Sequence, residues 1–175
     1  MKTVVITGAS TGIGEATALY LAKHGWCVYA GVRKQADADA LRASSEGDIR
    51  PLILDVTKQD QVDAAVREVS AALKGETLTG LVNNAGIANM GPLAIQPLDE
   101  FKAHFDVNVF GLLRASQAFG PLLGMDPDRT GEPGRIINIT SVGGRISSPF
   151  LGAYTATKHA VEAMTDSMRR ELVIF

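Results

Sequence analysis

Cysteine is nearly absent: Cys27 is the only one among 175 residues, so no internal disulfide can form. A chain of this length buries a full core without such a staple. Cys27 sits in the apolar run Cys27-Val28-Tyr29-Ala30 and reads as a core residue rather than a reactive thiol. Histidine is scarce as well. His24, His104 and His159 are scattered, no Cys/His/carboxylate group has metal-ligand spacing, and no metal site is expected. An excess of one charge is also missing: the formal net charge is -2 and no Lys/Arg stripe stands out, so nothing argues for nucleic acid or an acidic membrane surface as a partner. The apolar run near the amino terminus, Val4-Val5-Ile6, is far too short for a signal peptide or a membrane span, and the expectation is a cytoplasmic protein. Internal repeats and low-complexity tracts are lacking.

What remains is ordinary globular composition, 46% apolar and 21% charged, in a pattern that repeats one theme. Short apolar runs alternate with longer segments of helical period, the signature of βαβ units building a parallel sheet covered on both faces. Strands are expected at Thr3 to Thr7, Cys27 to Val32, Pro51 to Leu54, Leu81 to Asn83 and Arg135 to Thr140, mostly as uninterrupted apolar runs. Helices are expected from Gly14 to His24, with Gly25 as the stop, and from Gln59 to Leu73, where Val62, Ala65, Val66, Val69 and Leu73 form one stripe. Two longer helices follow, Leu98 to Leu123 and Ala153 to beyond Leu172. The Asp/Pro/Gly-dense stretch Gly124 to Gly134 reads as a surface connection. The fold class is therefore α/β, a doubly wound parallel sheet in a single domain over residues 1–175.

The first strand runs directly into Thr7-Gly8-Ala9-Ser10-Thr11-Gly12-Ile13-Gly14, and a helix follows. Strand, glycine turn and helix together aim backbone N–H groups and a helix N-terminus at a pyrophosphate. Gly8 suits the tight turn, Gly12 the close approach of the phosphate and Gly14 the packing of the helix; a turn that merely packs is the alternative. The spacing is Gly-x-x-x-Gly-x-Gly rather than Gly-x-Gly-x-x-Gly, and in this the chain resembles the short-chain dehydrogenase/reductase family. The resemblance implies a Rossmann-type sheet and a nicotinamide cofactor held by Gly8, Ser10, Thr11, Gly12, Ile13 and Gly14.

Further stations follow in order. Val32 lies 18 positions after Gly14, where a carboxylate about 20 residues on would accept the NAD 2′-hydroxyl. Val32 cannot, and the adjacent Arg33 suits the 2′-phosphate of NADP, so NADP(H) is the preferred cofactor and NAD(H) a possible one; an exposed surface charge is the other reading of Arg33. Asp55-Val56 is similar to the family's adenine-contacting pair, although Asp55 also stands where a helix N-cap region would. Asn83-Asn84-Ala85-Gly86 matches the family's signature at the end of the fourth strand, which implies Asn83, Ala85 and Gly86 beside the cofactor.

Tyr154 and Lys158 stand four residues apart, on one face of a helix. A cation near a phenol stabilises the phenolate, so such a pair can pass a proton to a carbonyl or take one from an alcohol. The resemblance implies that both also touch the cofactor, that Ser141 orients the substrate oxygen, and that Asn108 is the fourth catalytic residue, anchoring a water near the lysine. Ser141 also reads as a strand-end cap. An asparagine inside an otherwise good helix asks for a reason other than propensity. The segments Ser141-Val142-Gly143-Gly144-Arg145 and Arg169-Arg170-Glu171-Leu172 also look like the branch acting on steroid- and retinoid-type alcohols.

The implied activity is an NAD(P)-dependent oxidoreductase acting on a secondary alcohol or ketone, with Ala88, Met90, Ile146, Phe150 and Leu151 as an apolar pocket wall that suits steroids, the apolar faces of sugars and small ketones alike, and a homodimer or homotetramer built on the two long helices. A non-catalytic NADP-binding sensor or scaffold is the alternative. A complete family member continues into a sixth strand, a Pro-Gly turn, a substrate-covering segment and a seventh strand. None of these follows the helix here, so the fold is expected to lack the last two strands, and the chain to be part of a longer protein rather than a damaged or repurposed form.

Overall fold

The computed structural model describes residues 2–174. Five parallel strands, β1 (Thr3–Ile6), β2 (Cys27–Val32), β3 (Ile49–Ile53), β4 (Gly80–Asn83) and β5 (Arg135–Asn138), form one sheet in the order β3-β2-β1-β4-β5. The order reverses direction at β1, between its neighbours β2 and β4. In open parallel sheets this switch point is where a crevice opens beyond the carboxyl ends of the strands.

Every residue of β1, β2 and β4 is buried, as strands covered on both faces must be. On one face Ala18 and Ala22 of α1 (Gly12–Lys23) and Ala38 and Leu41 of α2 (Gln35–Ala43) meet Val4, Ile6, Val28 and Val32. On the other, Val62, Ala65, Val69 and Leu73 of α3 (Gln59–Leu73) and Phe119 of α5 (Leu112–Phe119) pack on Val5, Tyr29, Leu52 and Leu81. Each fully buried Val, Leu, Ile or Phe contributes roughly 1.5–3 kcal/mol. Cys27 lies in this core, where burial first and then Asp48 push its thiol up to about 11, in keeping with an inert thiol.

The structure corrects several boundaries. Helix α2 was not foreseen: it shows only two buried apolar positions, Ala38 and Leu41, too weak a stripe to read as a period. The edge strand β3 starts at Ile49, two residues before the expected Pro51, because Val28 to Val32 pair with Ile49 to Ile53; proline is tolerated at such an edge. Strand β5 stops at Asn138 rather than Thr140. The long helix expected from Leu98 to Leu123 is divided into α4 (Leu98–Phe105), a π-helical segment at Asp106–Gly111, α5, and a 3₁₀ turn at Gly120–Leu123. The last helix, α6, spans Gly152–Glu171 and gives way to a 3₁₀ turn at Leu172–Ile174.

Candidate active site

At the switch point the ends of β1 and β4 are latched together. Thr7 Oγ1 accepts from the backbone N–H groups of Asn84 and Ala85, both at 3.0 Å, while Asn84 Nδ2 donates to the carbonyls of Thr7 at 3.1 Å and Gly8 at 2.8 Å. The chain turns here with Gly8 at φ 66° and Gly12 at φ 63°, a region nearly closed to other residues. A Cβ on Gly14 would overlap Asn84 Nδ2 and the Gly8 carbonyl, whereas one on Gly12 would meet nothing within 4 Å. The turn is therefore tight against the sheet at Gly14 and open at Gly12.

A cavity of ≈ 420 Å³ opens above this turn. Gly8, Ser10, Thr11 and Ile13 form its floor, Arg33 and Asp55-Val56 one side, and Ala85-Gly86 the other, so nine of the residues proposed from sequence for the cofactor meet there. Gly12 and Gly14 belong to the turn without lining the cavity. Asn83 is not at the cavity: it is buried, and its Nδ2 donates to Ser116 Oγ and Asn138 Oδ1, each at 2.9 Å. Side chains on a strand alternate between faces, and it is Asn84 that lines the space. Thr57, Ile87 and Val107 also line it and were not singled out in the sequence.

Arg33 is exposed and makes no ion pair among the described residues. Burial works to raise the Asp55 carboxyl, but hydrogen bonds from Thr57 N–H at 2.9 Å and Oγ1 at 2.7 Å, with Arg33 and Lys58 nearby, leave it below its ordinary value. Asp55 does not cap α3, whose N-cap residue is Lys58.

The four residues proposed as catalytic gather beside this cavity, around the start of α6. Lys158 is 7% exposed, and its ammonium donates to the Ile139 carbonyl at 2.7 Å and stands 5.7 Å from the centre of the Tyr154 ring. Burial holds it below the usual lysine range. Ser141 Oγ accepts from the N–H of Gly143 at 3.0 Å, which leaves its own O–H free to donate. A Cβ on Gly143 would sit 3.2 Å from Thr155 Cγ2 and in ordinary contact, at 3.4 Å, with both Ser141 Oγ and the Tyr154 ring, so Gly143 lies against the serine and the tyrosine together. Asn108, 1% exposed and within the π-helical segment, donates to Thr157 Oγ1 at 3.0 Å and exchanges two hydrogen bonds with the Ile87 backbone. It thereby ties the cavity wall to α6.

A larger cavity, ≈ 540 Å³, lies between β5 and the far end of α6, lined by Ile136, Thr165, Met168 and Leu172 among others. It contains none of these residues, and size alone gives it no chemistry. Among the described residues no cluster of His, Cys, Asp and Glu could hold a metal, and no helix is long and apolar enough to cross a membrane.

Known proteins are similar to the chain over nearly its whole length. The chain is 37% identical to the NADPH-dependent 3-dehydrocapnine reductase of Ornithobacterium rhinotracheale over 175 residues, which is 100% of this chain and 62% of that protein. It is 33% identical to the mitochondrial D-beta-hydroxybutyrate dehydrogenase of Rattus norvegicus over 98% of this chain and 50% of that one. Its fold is similar to a gluconate 5-dehydrogenase from Burkholderia cenocepacia J2315 solved with NADP and tartrate, with a TM-score of 0.84 and 30% identity over 97% of this chain and 65% of that chain. The chain thus spans between half and about two thirds of the length of these relatives. The short chain dehydrogenase pattern itself matches residues 2–174, and the chain belongs to that family.

Proposed function

We propose that residues 1–175 form the cofactor-binding and catalytic domain of an oxidoreductase that moves hydride between NADP(H), in preference to NAD(H), and a secondary alcohol or ketone. The observation that carries this reading is the adjacency of an open glycine-turn cavity, with an unpaired arginine on its rim, to a buried lysine, a tyrosine and a serine with a free hydroxyl.

The cavity fits a dinucleotide. In the turn beneath it a Cβ on Gly12 would meet nothing within 4 Å, which leaves a phosphate room to approach the backbone there. Arg33 offers a cation, and Val32 no carboxylate, where the adenosine ribose is bound in dinucleotide folds. Asp55 and Val56 are placed to take the adenine. When bound, the nicotinamide supplies or accepts the hydride. The names of two relatives support NADP: one is called NADPH-dependent, and the other was solved with NADP.

The chain's own residues manage the proton and the charge. The Ser141 hydroxyl, already accepting from Gly143, donates to the substrate oxygen and stabilises negative charge developing there. The Tyr154 hydroxyl delivers a proton to that oxygen in reduction and removes one in oxidation. Lys158 places a cation beside the phenol, and Asn108 holds the α6 backbone region and the cavity wall in register.

The test is to mix the full-length protein with NADPH and a panel of cyclic, aliphatic and aromatic ketones and follow NADPH absorbance. Consumption that depends on a ketone supports the reading. Tight NADPH binding without turnover on any of them would favour a sensor or scaffold.

A further inference from the structure

We infer that His104 is a positioning residue that suspends the segment Ile87–Gly91 between the cofactor cavity and the entry to α6. This rests on the oxidoreductase reading proposed above. The His104 side chain is fully buried, yet both ring nitrogens reach backbone groups. Nδ1 lies 2.8 Å from the Glu100 carbonyl, which can only accept, so Nδ1 carries the hydrogen. Nε2 is then the bare acceptor, and it takes the N–H of Asn89 at 3.0 Å.

Four positions on, Asn108 binds the N–H and carbonyl of Ile87 at 2.8 and 2.9 Å. At the other end the N–H of Gly91 donates to the Phe150 carbonyl at 2.8 Å. Alternate residues 87, 89 and 91 are thus each held by a different partner, and among the described residues these are the segment's hydrogen bonds. Asn89 and Met90 are themselves exposed, so burial does not hold the middle of the segment in place. His104 does.

The two ends explain why this matters for chemistry. Ile87 lines the cofactor cavity. Phe150, four residues before Tyr154, is kept at φ 65°, a conformation bulky residues rarely adopt. The strap joins the two, and the His104 contact is its midpoint. An apolar residue would fill the same buried space equally well; only a side chain with a lone pair opposite Asn89 can hold the strap.

The experiment compares the full-length parent with His104→Leu, which keeps an apolar filler, and His104→Gln, which restores an acceptor. The readouts are amide hydrogen exchange over residues 87–91, NADPH affinity, and KM and kcat for cyclohexanone. In His104→Leu the Asn89 N–H should exchange about tenfold faster or more, since a lost buried hydrogen bond opens the segment. KM should rise several-fold with a smaller change in kcat and in NADPH affinity, and His104→Gln should reverse both effects. Unchanged exchange in His104→Leu, or a His104→Gln variant that behaves like His104→Leu, overturns the proposal. Should the buried substitution prevent folding, Asn89→Pro deletes the donor from the exposed side, and a parental KM in that variant would overturn it as well. A parent that reduces no ketone sinks only the oxidoreductase reading, because the exchange measurement still decides the strap.

Discussion

The Lys158 ammonium donates to the Ile139 carbonyl across 2.7 Å, fastening α6 to the chain two residues before Ser141. One side chain therefore braces the serine's strand end while standing 5.7 Å from the centre of the Tyr154 ring. Lys158→Ala is expected to lower kcat and also to weaken NADPH binding, a double loss that a merely electrostatic role would not give. Steady-state kinetics with fluorescence titration of NADPH separates the two effects, and full cofactor affinity in the variant would remove the binding role.

Tyr154→Phe is expected to abolish proton transfer with little effect on cofactor binding, since it deletes only the phenol hydroxyl and keeps the ring. General acid–base catalysis is typically worth about 10²–10⁴-fold in rate. The expected outcome is a loss of that order in kcat with NADPH affinity unchanged, measured on the full-length protein. Near-parental turnover would take the phenol out of the mechanism.

The proposed preference for NADP(H) is expected to rest on Val32 and Arg33, both at the cavity. Arg33 is solvent-exposed, so the proposed contact with a 2′-phosphate should be worth about tenfold in affinity and should weaken with salt. Val32→Asp adds an acceptor for the NAD 2′-hydroxyl and repels the 2′-phosphate, and should reverse the order of affinities. Titration of NADPH and NADH at two salt concentrations reads this directly. Tighter, salt-insensitive NADH binding by the parent would make Arg33 a surface charge only.

Asp55 links the cavity to stability. Its carboxyl is held below the ordinary 3.8 in the fold, so it binds a proton less readily folded than unfolded. Its contribution is present above that value and is lost as pH falls through the lower, folded value. Asp55→Ala should cost about 1 kcal/mol at neutral pH, through the two hydrogen bonds from Thr57. The deficit should shrink below about pH 4. Urea unfolding of parent and variant across pH measures it, and a deficit constant with pH would sink the account.

Much of this was legible in the residues because the strongest signals are local. Strand β2 and helix α3 lie where apolar runs and a 3.6-residue stripe place them, and the glycine turn has the geometry its spacing implies. What was not legible depends on partners distant in sequence. Whether Asn83 or Asn84 faces the cavity is fixed by strand parity against β1 and β5, and the pattern of residues reads the same for either. His104 looked like one scattered histidine because its partner, Asn89, is exposed and contributes only a backbone N–H. The π-helical turn left no trace in the hydrophobic period, since α4 and α5 are each only eight residues long.

That π-helical turn stores one residue more than an α-helical turn would use over the same rise. An α-helix advances about 100° per residue, so deleting a residue within α4 or α5 swings everything beyond it to a new face and breaks its packing. A single deletion inside Asp106–Gly111 has the opposite consequence. It lets the wide turn relax to α geometry and leaves the flanking helices in phase, with Phe119 still aimed at the core. Asn108 would then lose its hydrogen bonds to Thr157 Oγ1 and the Ile87 backbone. The segment is thus a place where the chain can change length by one residue and lose the tie between the cavity wall and α6 without losing a fold.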